Sequence, residues 1–145
     1  MFKHVLIATD GSPPSRKALK AGIALAKELG AKVTAYHAVE RLPPYANGRF
    51  FPPSAMEAIE AATRREARKL LDEVARIAHT AGVTCELRIS EPAAVYQGII
   101  DAARKNKCDA IFMASHGRGE LASLVLGSVT VKVLAHSKIP VVVFR

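Results

Sequence analysis

The sequence predicts a doubly wound α/β domain, a parallel sheet with helices on both faces. Three observations carry that expectation. Short β-rich runs alternate along the chain with longer segments of helical period. The connections between those runs are long enough for right-handed crossovers. One run, Ala110-Ile111-Phe112-Met113-Ala114, is apolar throughout, as suits a strand covered on both faces. The chain has 145 residues, 50% of them hydrophobic, so one domain can bury its core without a disulfide or a metal.

The elements follow in order. Val5-Leu6-Ile7-Ala8 is the first strand and ends in Thr9-Asp10-Gly11. Ser12 supplies an N-cap and Pro13 a first helical position, and the helix runs to Gly30, a good stop. Ala18, Leu19, Ile23, Ala26 and Leu29 give this helix one apolar face. Lys32 to Val39 is the second strand. Residues 40–53 carry four prolines and form the one long irregular segment, expected to be a lid, a partner surface or simply mobile. The longest helix spans Ser54 to Ala81. Its buried stripe is Ile59, Ala62, Leu70, Val74, Ile77 and Ala81, and Gly82 ends it. Val83 to Ile89 is the third strand, and Pro92 opens a helix through Arg104. Ala110 to Ala114 is the fourth strand, Ser128 to Ala135 the last helix, and Pro140 to Phe144 the fifth strand.

Charge and composition narrow the function. Lys and Arg number 21 against 13 acids, a formal charge of +8. The charges are interleaved, as in Glu60–Arg64 and Asp72–Arg76 at i,i+4 spacing, which marks a solvated helix face and not a nucleic-acid platform. Interleaved aromatics and zinc-finger spacing are both missing. The longest uncharged run, Leu121 to Val131, falls well short of the ~18 residues of a membrane span. The apolar start is too short for a signal peptide. Cys85 and Cys108 lack metal spacing and read as reduced, mostly buried thiols. The chain is expected to be soluble and cytoplasmic, with no nucleic-acid or membrane partner.

In such a sheet, ligands bind outside the carboxyl ends of the strands, at the topological switch. Gly117-Arg118-Gly119-Glu120-Leu121-Ala122 matches a relaxed dinucleotide fingerprint, but that fingerprint needs an acid about 20 residues on. Position 137 is Ser137 and no acid follows Glu120, so NAD is not the expected ligand. A wider pattern fits better. Ala114-Ser115-His116-Gly117 is followed, nine residues later, by Gly127-Ser128-Val129-Thr130 at the start of the last helix. Glycines admit a phosphate to the backbone, and a helix start offers N–H groups and a favourable dipole. Ser128 and Thr130 add hydroxyl donors and Arg118 adds a charge.

This arrangement resembles the universal stress protein family, whose signature is G-x2-G-x9-G-[ST] after the fourth strand of a five-stranded α/β domain. The resemblance also takes in Asp10, His37, Glu91-Pro92-Ala93 and the Ile139-Pro140-Val141-Val142-Val143 ending. It implies the strand order 3-2-1-4-5 and an adenine nucleotide, ATP or AMP, with Mg²⁺ on its phosphates. Asp10 and the backbone around Ala38 would contact the nucleoside, with Thr9, Met113, Ala114 and Val129 beside them. Gly117, Gly127, Ser128 and Thr130 would contact the phosphates, with His116 and Arg118 nearby.

One departure matters, because the first signature position is Ala114. If that position needs a positive φ or touches a phosphate, binding weakens; if it only ends the strand, alanine is tolerated. Two readings follow: a stress-response module holding an adenine nucleotide, or a nucleotide-free interaction module acting as a homodimer. Neither calls for efficient catalysis, since Asp10, Glu40, Glu91 and Glu120 show no pairing around a metal. The homodimer is expected through Val141 to Phe144, an apolar edge strand whose backbone groups a second copy would satisfy. The resemblance implies the same pairing, and a proline at Val142 is its expected probe.

Overall fold

A computed structural model of the protein describes residues 1–42, 51–118 and 126–145. The expectations for Gly119 to Ala122, and for most of the 40–53 segment, lie outside the described residues. The elements are β1 (His4–Ala8), α1 (Pro13–Leu29), β2 (Lys32–Ala38), α2 (Pro53–Ala81), β3 (Cys85–Ser90), α3 (Val95–Lys105), β4 (Ala110–Ala114), α4 (Ser128–His136) and β5 (Val141–Phe144). The strands form one parallel sheet in the order β3-β2-β1-β4-β5, as expected.

Burial explains the order of the strands. Every residue of β1 and β4 is buried, so these two apolar runs take the centre. β3 and β5 are half-buried to exposed and take the edges. Side chains alternate between two cores. Val5, Ile7, Val33 and Phe112 meet α1 and α2, where Leu19, Ile23, Leu70 and Val74 close the layer. Leu6, Tyr36 and Ile111 meet α3 and α4, through Ile99 and Val133. The expected caps are present on α1. Ser12 accepts from the Ser15 N–H, and Gly30 takes the left-handed conformation at φ 62°. Among the described residues, no helix is long and apolar enough to cross a membrane.

Two expectations need correction. Pro92 does not open α3, because Ala94 is still extended at φ −139° and the helix begins at Val95. Pro92 instead packs under the helix beside Gly98. The stripe of α2 is also displaced. Its buried residues are Ala67, Leu70, Val74 and Ala78, whereas Ile59, Ala62, Ile77 and Ala81 are only half-buried. The small side chains of Ala67 and Ala78 let the helix lie close to its neighbours, and its first half buries no residue.

Away from the carboxyl ends, His4 is buried with Nε2 2.8 Å from the Thr34 hydroxyl. Burial, with Lys32 nearby, holds its pKa below the ordinary 6.5, although Glu86 and Asp109 pull the other way. The unfolded chain therefore binds a proton that the folded one resists. The stability His4 confers is complete above its ordinary pKa and is lost as pH falls through and below it. We expect the urea midpoint to fall from about pH 7 to about pH 5, and to fall less in His4→Gln. Parallel profiles for the two proteins would contradict this. Cys108 is buried and Cys85 half-buried. Burial pushes both thiols up, the state of unreactive packing cysteines.

Candidate functional site

The carboxyl ends of the strands open into a crevice of about 760 Å³. It gathers Thr9, Asp10, Ala38, Met113, Ala114, His116, Gly117, Arg118, Ser128, Val129 and Thr130 around one space. Gly127 is not among this lining.

The end of β1 is wired on every side. The Thr9 N–H donates to the Tyr36 carbonyl at 2.9 Å. His37 Nδ1 lies 2.9 Å from the Thr9 carbonyl, which only accepts, so Nδ1 carries the proton. Ser15 Oγ bonds both the Thr9 hydroxyl (2.8 Å) and the Asp10 N–H (3.0 Å). The chain then turns at Gly11, whose φ of 77° suits glycine. Asp10 caps this turn, accepting from the Ser12 N–H at 2.8 Å. Its other oxygen accepts from the Arg118 N–H at 2.9 Å, and the Arg118 guanidinium reaches the Asp10 carbonyl at 3.3 Å. Asp10 therefore ties the two sides of the topological switch together.

At the end of β4, Ala114 pairs with Phe144 and is 7% exposed. Its methyl belongs to the core under α1 and α2, on the side of the sheet away from α4. Among the described residues, Lys107 alone of the non-glycines has a positive φ, so Ala114 holds an ordinary strand conformation. Nothing in that backbone requires glycine.

Two of the expected phosphate donors are already engaged. The Gly127 N–H donates to the Ser115 carbonyl at 2.6 Å. The Thr130 hydroxyl, 2% exposed with its residue, donates to the carbonyls of Ala114 (3.0 Å) and Ser115 (3.3 Å). Both groups set the position of α4. The hydrogen-bonding capacity of these two groups is spent within the protein, whereas Thr130 still lines the crevice. The Val129 and Thr130 N–H groups lie in the first turn of α4 and have no intrahelical acceptor. No acidic residue belongs to that turn, so the helix itself does nothing to offset its dipole there. His116 Nδ1 lies 2.8 Å from Ser115 Oγ.

The crevice has two unlike sides. Towards α3 it is apolar, lined by Ala8, Tyr36, Val95, Ile99 and Met113. Towards α1 and α2 it is polar, with Arg16, Thr63, Glu66 and Lys69 around Leu70. Sequence reasoning found Met113 but missed the rest of both walls. Tyr36 had a signal, since alternation along β2 turns it inward beside the strand end. The residues of α2 had none, because helical period does not say which polar residue faces a crevice made by other elements.

The family described as the universal stress protein family matches residues 1–145. A Thermus aquaticus protein, the universal stress protein in the QAH/OAS sulfhydrylase 3′ region, is 32% identical over 145 residues, which is 100% of both chains. Among solved structures, the hypothetical protein MJ0577 matches with a TM-score of 0.80 at 25% identity, covering 99% of this chain and 95% of that one. A universal stress protein in complex with cAMP matches with a TM-score of 0.74 at 23% identity, covering 99% and 97%. An Arabidopsis thaliana family protein with AMP bound has a TM-score of 0.65 at 17% identity, covering 98% and 90%.

Proposed function

We propose that this chain, which belongs to the universal stress protein family, is a stress-response module that holds ATP or AMP across the carboxyl ends of β1 and β4. The base takes the apolar side between Tyr36, Ile99 and Met113, with the backbone at Ala38 reading its edge. Asp10 keeps unused acceptor capacity for a ribose hydroxyl, since each carboxylate oxygen accepts more than one bond. The phosphates meet Gly117, Arg118 and the first turn of α4 at Ser128 and Val129. Mg²⁺ would be held mainly by phosphate oxygens and water, with Asp10 as the carboxylate at the strand ends. In this reading the protein works in the cytoplasm as a homodimer joined through β5.

The observation that carries the reading is the position of Ala114. Its methyl lies in the core on the α1 side, so the departure from the signature does not set a methyl against the start of α4. The family members that hold cAMP and AMP share this fold, which supports the same class of ligand. Calorimetric titration of the purified protein with ATP, AMP and cAMP is the test. At least one is expected to bind, and Ala114→Gly is expected to change its affinity by no more than about twofold, as for a position that needs no positive φ. No heat with any of them, and no nucleotide released on denaturation, would favour the interaction module. The reading assigns no efficient turnover; hydrolysis at ~1 s⁻¹ or faster would overturn that part.

A further inference from the structure

We propose that Lys69 makes this crevice select nucleotides carrying more than one phosphate, an inference that rests on the nucleotide reading above. A nucleoside on the apolar side, with its first phosphate at the start of α4, leaves the α1–α2 side of the crevice unfilled. That side has the chemistry of a polyphosphate end. Arg118 is tied to Asp10, at the turn that leads into α1. Beyond it lies α1, whose own first turn carries no acidic residue and whose N-cap N–H is already taken by the Asp10 carboxylate.

Packing brings the cation to this place. The Leu70 methyls lie 3.6 and 3.7 Å from where a side chain would begin on Gly11, so α2 sits directly against the strand-end turn. Lys69 is the adjacent residue, exposed and lining the crevice. Its four-carbon stem can carry the ammonium over the start of α1. The charge there is uncommitted. Arg16 is paired with Glu73 at 3.1 Å, whereas Lys69 has no ion pair or hydrogen bond among the described residues. Glu66, one turn earlier on the same wall, opposes it and keeps a monophosphate from gaining by simple attraction to the wall. A terminal phosphate that reaches Lys69 makes a charge-assisted contact that AMP does not.

The test is a titration of the full chain with AMP and with ATP at low ionic strength. Wild type is expected to bind ATP more tightly. Lys69→Gln is expected to weaken ATP about five- to tenfold, the range for a partly solvated bond to a charged group, and to leave AMP within twofold. Lys69→Arg should keep the preference, Glu66→Gln should enlarge it, and added salt should shrink it. An unchanged ATP affinity in Lys69→Gln, or an equal loss for both nucleotides, overturns the inference and leaves the site standing. A wild-type protein that binds neither nucleotide removes the inference together with the site.

Discussion

Gly98→Ala is expected to destabilise the fold by about 1–3 kcal/mol, against the direction that helix propensity gives. Inside a helix such as α3, alanine is favoured over glycine by roughly 0.5–1 kcal/mol. Packing decides the sign. A Cβ on Gly98 would meet the Tyr36 hydroxyl within contact distance, and would lie 2.7 Å from Pro92 Cγ. Tyr36 is 2% exposed and its hydroxyl is bound to Ser90 Oγ at 2.7 Å, so it has nowhere to retreat. Urea unfolding measures the loss. Combining the change with Tyr36→Phe isolates the cause, because removing the hydroxyl should recover part of it and the pair should be non-additive. A Gly98→Ala protein more stable than wild type would show that the helix can shift away from the sheet. Tyr36 also lines the crevice, so nucleotide affinity should fall along with stability.

Val143→Pro is expected to dissociate the proposed homodimer while leaving each protomer folded. The ladder identifies the residue. The Ile111 N–H bonds the Pro140 carbonyl and the Ser115 N–H bonds the Phe144 carbonyl, each at 2.8 Å. Alternation in a parallel pair then turns Pro140, Val142 and Phe144 towards β4, and Val141 and Val143 towards the open edge. Proline at Val142 therefore removes a bond within the protomer and is the wrong probe. At Val143 it removes a donor from the edge that a second copy would pair. Two-fold symmetry doubles the loss of about 1–3 kcal/mol per unmet group. Sedimentation at micromolar concentration should show wild-type dimer and Val143→Pro monomer, with thermal midpoints of the protomers close together. A wild-type monomer, or a dimer indifferent to Val143→Pro, would sink the proposal.

Much of the fold was legible because some residues leave the backbone little choice. The apolar runs of β1 and β4 had to be central strands, and Gly30 and Gly82 stop helices by taking φ of 62° and 72°. Pro92 misled because proline suits a first helical turn but equally suits a packed extended segment. Within the site, the sequence brought the right stretches to the strand ends but not the allocation of their hydrogen bonds. Thr130 and Gly127 are donors by residue type; only the folded chain shows that Ala114 and Ser115 already take them. Ala114 is the converse case. Its letter breaks the signature, yet strand parity sends its methyl to the far side of the sheet. Lys69 and Gly98 were illegible for a shared reason, since their importance comes from elements distant in the chain.

The tie between Asp10 and Arg118 joins positions 108 residues apart. The crevice therefore does not exist in any early portion of the chain during synthesis, because its two banks are made near opposite ends of this sequence. A ligand held between them gives nothing to a half-made or partly folded chain. It favours only the finished arrangement, shifting the balance towards it by mass action. Occupancy would then act as a check on completeness, with protection arriving last, after the long-range pairing of β1 with β4 has closed.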